Sequence, residues 1–240
     1  MSKATGGDNA LAQKFFQQAI DLDPAFAGGY WGFAAAHMHA AAVFQTSSLP
    51  DARSSMEALA RRAVALDGSD AEARSWLGQT LFMFGDHKGA LAESERALAM
   101  SQNLTIAHET LAIALIYSGR PKEGLAALQR YLRLDPRDPT LALGLLQIAV
   151  GHYFCREYET ALEAAERVIR AYPDFPLSYR WLAATLGQLG RTDEARSALE
   201  RAIAVAPTSF DFYVRGRAPW FRPEDHAHML EGLRKAGWEG

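Results

Sequence analysis

Residues 176–209 read PLSYRWLAATLGQLGRTDEARSALERAIAVAPTS. Tyr179, Leu182, Ala183 and Leu186 fall at helical spacing, Gly190 interrupts the pattern, and Ala195, Leu199 and Ala202 resume it until Pro207. Apolar residues three and four apart mark one face of a helix, and a Gly between two such runs marks a turn. The stretch therefore reads as two antiparallel helices joined by a tight connection. Alanines let the two backbones approach closely, while the leucines fill the gaps between one helix pair and the next.

The same arrangement returns upstream every 34 residues. Residues 71–104 carry Leu77, Gly78, Leu81, Gly85, Ala90, Ser94 and Ala97. Residues 105–138 carry Leu111, Ala112, Leu115, Gly119, Gly124, Leu128, Tyr131 and Pro136. Residues 142–175 carry Ile148, Ala149, His152, Ala161, Ala165, Val168 and Pro173, with Pro139 to Leu141 displacing the start. A single helix pair cannot bury its apolar face alone, so such units stack on their neighbours. Gly85, Gly119 and Gly190 fall where a first helix ends and the backbone needs a positive φ. Asp23-Pro24 and Asp135-Pro136 close second helices, because proline cannot continue one. Asp138-Pro139 reads as a helix cap followed by proline in the first turn. Glu163 with Arg167, and Glu166 with Arg170, are i,i+4 pairs on an exposed face.

These residues resemble the tetratricopeptide-repeat signature over roughly Leu11 to Ser209. The resemblance implies an all-α fold, a right-handed superhelical solenoid of about twelve helices with a C-terminal capping helix. Residues 1–26 fit only the second half of a unit, through Ala12, Phe16, Ala19 and Pro24. A second helix without its first would expose an apolar flank. Residues 27–70 form a stretched unit opened by Tyr30, Phe33 and Ala34 and closed by Ala60, Ala63 and Leu66. Its extra length falls around Phe44 to Ser54 and predicts a longer first helix and connection. Four regular units occupy 71–209.

Residues 210–240 are expected to form an aromatic linker and a final helix. Phe210, Phe212, Tyr213, Trp220 and Phe221 crowd the linker, and Pro219 and Pro223 interrupt it. Glu224 to Ala236 then reads as a helix with Met229, Leu230 and Leu233 inward, folding back to cap the array. The strings Pro219-Trp220-Phe221-Arg222-Pro223-Glu224-Asp225 and Gly232-Leu233-Arg234-Lys235-Ala236-Gly237 look like the end of bacterial proteins that join an adenylate/guanylate cyclase domain to such repeats. The half-unit start and the stretched unit resemble that group too.

Composition sets the class of chemistry. Among 240 residues, 25 basic and 28 acidic side chains give a net charge of −3, with the signs interspersed. Without a basic stripe, nucleic acid is not the expected partner. A mean hydropathy of −0.14 and the lack of an 18-residue apolar run predict no membrane span. A polar start at Met1 to Ala10 and a lone cysteine, Cys155, lead to the expectation of a cytoplasmic protein.

No phosphate loop and no nucleophile elbow occurs. His37 with His39, and His226 with His228, are two apart, which sends the rings to different faces rather than onto one metal. Cys155 has no readable base partner. Asp211, Glu224 and Asp225 read as helix caps and solvated surface rather than paired catalytic carboxylates. The expectation is a chain that is not an enzyme, with no cofactor, no metal and no catalytic residue.

The repeat resemblance implies that the concave face is built from first-helix positions. On this sequence they include Trp31, Met38, Phe82, Met83, Ile113, Ile116, Tyr117, Val150, Tyr153, Phe154, Arg180 and Gln188. The stripe is mostly apolar and aromatic, which suits an amphipathic helix or an extended hydrophobic segment of a protein or peptide partner. Two readings of the stripe stand: groove lining, or core buried between units. Two alternative functions stand as well. The N-terminal half-unit could make the chain a homo-oligomerisation device, and an unrecognised site could make it an enzyme.

Overall fold

The computed structural model describes residues 6–42, 48–134, 141–173, 175 and 177–240. All regular structure among them is helical, in thirteen elements. They are α1 (Gly6–Leu22), α2 (Ala27–Ala42), α3 (Leu49–Leu66), α4 (Ala71–Met83), α5 (His87–Met100), α6 (Thr105–Tyr117), α7 (Pro121–Leu134), α8 (Leu141–Phe154), α9 (Tyr158–Ala171), α10 (Leu177–Gln188), α11 (Thr192–Val205), α12 (Pro207–Val214) and α13 (Pro223–Lys235). The Asp135-Pro136 stop, the Asp138-Pro139 cap, Phe44 to Ser47 and Pro176 lie outside the described residues. The chain divides into two compact units, residues 1–111 and 112–240.

Local chemistry fixes the ends of these helices. Asp70 accepts hydrogen bonds from the Glu72 and Ala73 N–H groups at 2.8 and 3.1 Å, capping α4. Asp86 accepts from the Gly89 N–H at 2.8 Å, capping α5. Such caps satisfy donors that the first helical turn leaves free.

Four hairpin turns share one hydrogen-bond pattern. The N–H groups of Asp86, Arg120, Glu157 and Arg191 donate to the carbonyls of Leu81, Leu115, His152 and Leu186, five residues back, at 2.9–3.0 Å. That closure needs a left-handed residue just past the helix. Gly85, Gly119 and Gly190 supply it with φ of 85°, 89° and 73°. In the α8–α9 turn the same place is held by Arg156 at φ 63°. A side chain there costs about 1–2 kcal/mol. Arg156→Gly is therefore expected to raise the unfolding free energy by about 1 kcal/mol, offset in part by glycine's larger chain entropy. A urea titration of the full chain checks it.

In the first unit, α2 packs on α3, α4 on α5, and α1 on α2. Ala60, Ala63, Ala73, Ala90 and Ala97 are wholly buried at these contacts. Both helices of the stretched unit are longer than those of the next: α2 has 16 residues and α3 has 18, against 13 in α4 and 14 in α5, and most of the connection between α2 and α3 lies outside the described residues. Trp31 of α2 stacks on Trp76 of α4 at 6.4 Å and donates its indole N–H to Asp70 at 3.2 Å. Asn9 of α1 donates to the Ala36 carbonyl at 3.1 Å. In α1, Phe15 is 59% exposed and Leu22 87% exposed, with Leu11 about half exposed, as is Phe26 between α1 and α2.

In the second unit, α7 packs on α8, α8 on α9, α9 on α10, and α10 on both α11 and α13. Ala112, Leu128 and Tyr131 form one buried cluster, and Ala161, Ala165, Ala183 and Ala195 are wholly buried. The chain departs from its expected end in one respect. The segment after the last repeat is helical over Pro207–Val214, with Pro207 in the first turn rather than merely ending the helix before it. In α13, Met229 and Leu233 are fully buried and Leu230 partly so.

Candidate functional site

The aromatic first-helix residues of the second unit converge. Tyr117 ends α6, Tyr153 and Phe154 end α8, and Trp181 lies on α10. Ring centroids lie 5.7 Å apart for Tyr117–Phe154, 5.6 Å for Phe154–Trp181 and 5.3 Å for Tyr153–Trp181. These three pairs are edge-to-face, an arrangement that ring quadrupoles favour.

This box is filled by the chain itself. Phe221, from the stretch between α12 and α13, lies edge-on to Tyr117 at 5.2 Å and to Phe154 at 6.4 Å, and stacks on Trp181 at 6.2 Å. Tyr213 of α12 lies 4.2 Å from the Arg180 guanidinium carbon, ring face on. The Tyr153 hydroxyl donates to the His228 carbonyl at 2.8 Å, and the Gln188 amide reaches the Tyr153 oxygen at 3.4 Å. Lys235 closes the far side by donating to Gln188 at 2.7 Å. Arg222 holds the start of α13 through a two-pronged pair with Asp225, at 2.7 and 2.8 Å.

Burial governs the electrostatics. It pushes the Tyr117 and Tyr153 hydroxyls far above their usual range. It depresses Arg180, against the opposing pull of Tyr213 and Tyr117. Burial raises the Cys155 thiol, and Glu157 raises it further, so the group is held protonated rather than activated. Among the described residues no three of His, Cys, Asp and Glu gather as a metal set. No helix among them is long and apolar enough to cross a membrane.

The twelve stripe residues divide by accessibility. Met38, Phe82, Met83, Ile113, Ile116, Tyr117, Val150, Tyr153 and Arg180 are buried. Trp31, Phe154 and Gln188 are partly exposed. Tyr117, Tyr153, Phe154, Arg180 and Gln188 are brought together around the C-terminal segment, while Trp31, Met38, Phe82 and Met83 lie in the first unit. The buried members are packed by the chain's own side chains and do not form open surface. Phe221, Tyr213, His228 and Arg222 complete the site, and the repeat pattern does not pick them out. The aromatic density of 210–221 is the signal for Tyr213 and Phe221, Arg222 falls in the 219–225 string and His228 in the 226/228 pair, and none of these carries an indication of which rings they meet.

Histidine makes the packing pH-sensitive. Burial lowers His37, His39, His226 and His228 below the ordinary 6.5. His226 lies against the Tyr213 carbonyl at 3.1 Å, and Arg217 and Arg180 lower it further. The unfolded chain therefore takes up these protons first as pH falls. Stability is complete above about 6.5 and declines below it towards the folded values. The expected result is a lower Tm at pH 5.5 than at pH 7.5, with a smaller difference in His226→Gln. Calorimetry at the two pH values checks it.

The family model for the bacterial transcriptional activator domain matches residues 12–138, more than half of the chain. A tetratricopeptide repeat model matches residues 149–211. The chain is a tetratricopeptide-repeat protein of the bacterial transcriptional activator domain family. Among solved structures, the Cut9–Hcn1 hetero-tetramer of the anaphase-promoting complex aligns with a TM-score of 0.71 at 13% identity, covering 95% of this chain and 40% of that one. A thermophilic tetratricopeptide-repeat protein of Thermus thermophilus aligns at 0.58 with 24% identity, covering 71% and 91%. YrrB, described as a tetratricopeptide-repeat protein with an unusual peptide-binding site, aligns at 0.52 with 21% identity, covering 80% and 93%. At these identities the likeness is one of fold. Anaphase-promoting complex subunit 7 of Dictyostelium discoideum is 25% identical over 142 residues, 58% of this chain. The chain spans 24% of that relative's length.

Proposed function

We propose that this chain is a non-catalytic protein-interaction module, serving as the regulatory or scaffolding part of a bacterial cytoplasmic signalling protein of the nucleotide-cyclase type. The observation that carries it is the aromatic face of the second unit, which receives a polypeptide segment by side-chain packing. Stacked helical hairpins offer such faces without any catalytic constellation. The description of the family, a transcriptional activator domain, agrees with a regulatory setting, and the relative of Dictyostelium discoideum is named as a subunit of a complex. The tail strings at 219–225 and 232–237 support the cyclase link. The test is affinity capture from the source cells with the full chain, followed by titration of the recovered protein. A single partner bound at fixed stoichiometry is expected. Absence of any saturable partner would count against the module.

A second reading is favoured by one observation, the exposed Leu11, Phe15, Leu22 and Phe26 around α1. These apolar side chains support pairing with another copy or another protein. Light scattering across a concentration range, with the full chain and with Phe15→Ser/Leu22→Ser, separates this from a monomeric binder. A dimer lost in the double variant is the expected result on this reading, and a concentration-independent monomer excludes it.

A further inference from the structure

We propose that the aromatic box of the second unit is a binding site for a protein segment carrying an aromatic side chain beside a carboxylate, and that residues 207–222 are its built-in competitor. The proposal deepens the interaction reading by naming the chemistry of the partner and the part of the chain it displaces.

The aromatic half follows from the box itself. Tyr117, Phe154 and Trp181 come from three different helices, and together they hold one ring, Phe221. Any segment that takes this place must bring a flat apolar side chain of similar size.

The acidic half follows from what the tail leaves undone. Arg180 is only 4% exposed. Its guanidinium meets the faces of Tyr213 and Trp181, and its Nε has no hydrogen-bond partner among the described residues. The tail covers this cation without neutralising it. Its own carboxylates are engaged locally: Asp211 pairs with Arg215 at 2.8 Å, and Asp225 pairs with Arg222. Among the described residues, Gln147, whose side chain bonds the Tyr117 hydroxyl, leaves Oε1 buried without a partner, and Ser209 leaves its Oγ so. Buried groups left unpaired weaken the docking of whatever buries them, and a buried charge does so most. A segment placing a carboxylate on Arg180 would supply a charge-assisted pair that the tail does not.

The test uses the full chain and two blocked, fluorescein-labelled heptapeptides, Gly-Ser-Asp-Phe-Asp-Ser-Gly and its counterpart with both aspartates replaced by asparagine. Phe221→Ala, which loosens the competitor, is expected to bind the aspartate peptide at least about tenfold more tightly than the unaltered chain. The asparagine peptide is expected to bind about tenfold more weakly, and adding Arg180→Met to Phe221→Ala should erase that difference. Arg180→Met alone also removes the contacts with the Tyr213 and Trp181 rings, so its Tm is recorded beside that of the double variant to show that both remain folded. Hydrogen exchange of the unaltered chain provides a readout that does not depend on the folding of any variant. Saturating aspartate peptide should speed exchange of amides in 207–222. Unchanged exchange there, or equal affinity for the two peptides, overturns the proposal. In either of those cases a partner still captured by the full chain leaves the interaction module standing on another surface.

Discussion

Trp181→Ala is expected to lower the unfolding free energy by about 3–5 kcal/mol. The indole is 1% exposed and lies at the centre of the box, with rings of Tyr153, Phe154 and Phe221 around it and Arg180 beside it. Removing it deletes a large apolar surface and leaves a cavity whose walls belong to α8, α10 and the C-terminal segment. Those walls are held by separate helical hairpins and cannot close fully on the gap, so the cavity penalty adds to the lost burial. Urea unfolding followed by circular dichroism measures the change. A loss below about 1 kcal/mol would mean that the box is not packed as described.

Gly232→Ala is expected to cost about 3 kcal/mol, or to detach α13 outright. α10 and α13 touch backbone to backbone. A Cβ on Gly232 would stand 2.5 Å from the Ala184 carbonyl oxygen and 2.6 Å from the Tyr153 hydroxyl oxygen. On the facing side, a Cβ on Gly187 would overlap the Gly232 carbonyl oxygen. Main-chain atoms have no rotamer to retreat into, so the helices must separate. The expected signature is a lower Tm together with faster hydrogen exchange through Pro223–Lys235. Gly216→Ala, which would press on the Phe212 carbonyl outside this contact, should leave the α13 amides protected.

The repeats are legible in the sequence because their signals are local and periodic. Gly85, Gly119 and Gly190 mark their turns by chemistry alone, and Ala183, Ala195 and Ala202 mark close approach within one hairpin. Arg156 is not legible in this way, because nothing in an arginine announces a left-handed turn. Only the hydrogen bonds around it reveal that it occupies the glycine position. The helix α12 reads as linker because five aromatics and two prolines suggest irregular chain, whereas Pro207 in fact opens a helical turn.

The stripe residues are identifiable by spacing, and their fate is not. Whether Tyr117 or Tyr153 faces water depends on Phe221 and His228, which belong to no repeat. Tyr153 and His228 are 75 positions apart, and no period connects them. Arg180 shows the same limit. Its position on the first-helix face is visible in the sequence, but that no carboxylate among the described residues pairs with it depends on where Asp211 and Asp225 turn.

The C-terminal segment also changes how the second unit should melt. A stack in which each hairpin meets only its neighbours can fray from an end, one layer at a time. Here a single ring, Phe221, touches α6, α8 and α10, and α13 is fastened to α8 through Tyr153 and to α10 through glycine contacts. These ties close long loops, so they form late in folding and slow it. Once formed, they make loss of any one layer expose the others. Amides across α8, α10 and α13 are then opened together as one cooperative block, with a shared free energy in place of a gradient along the chain.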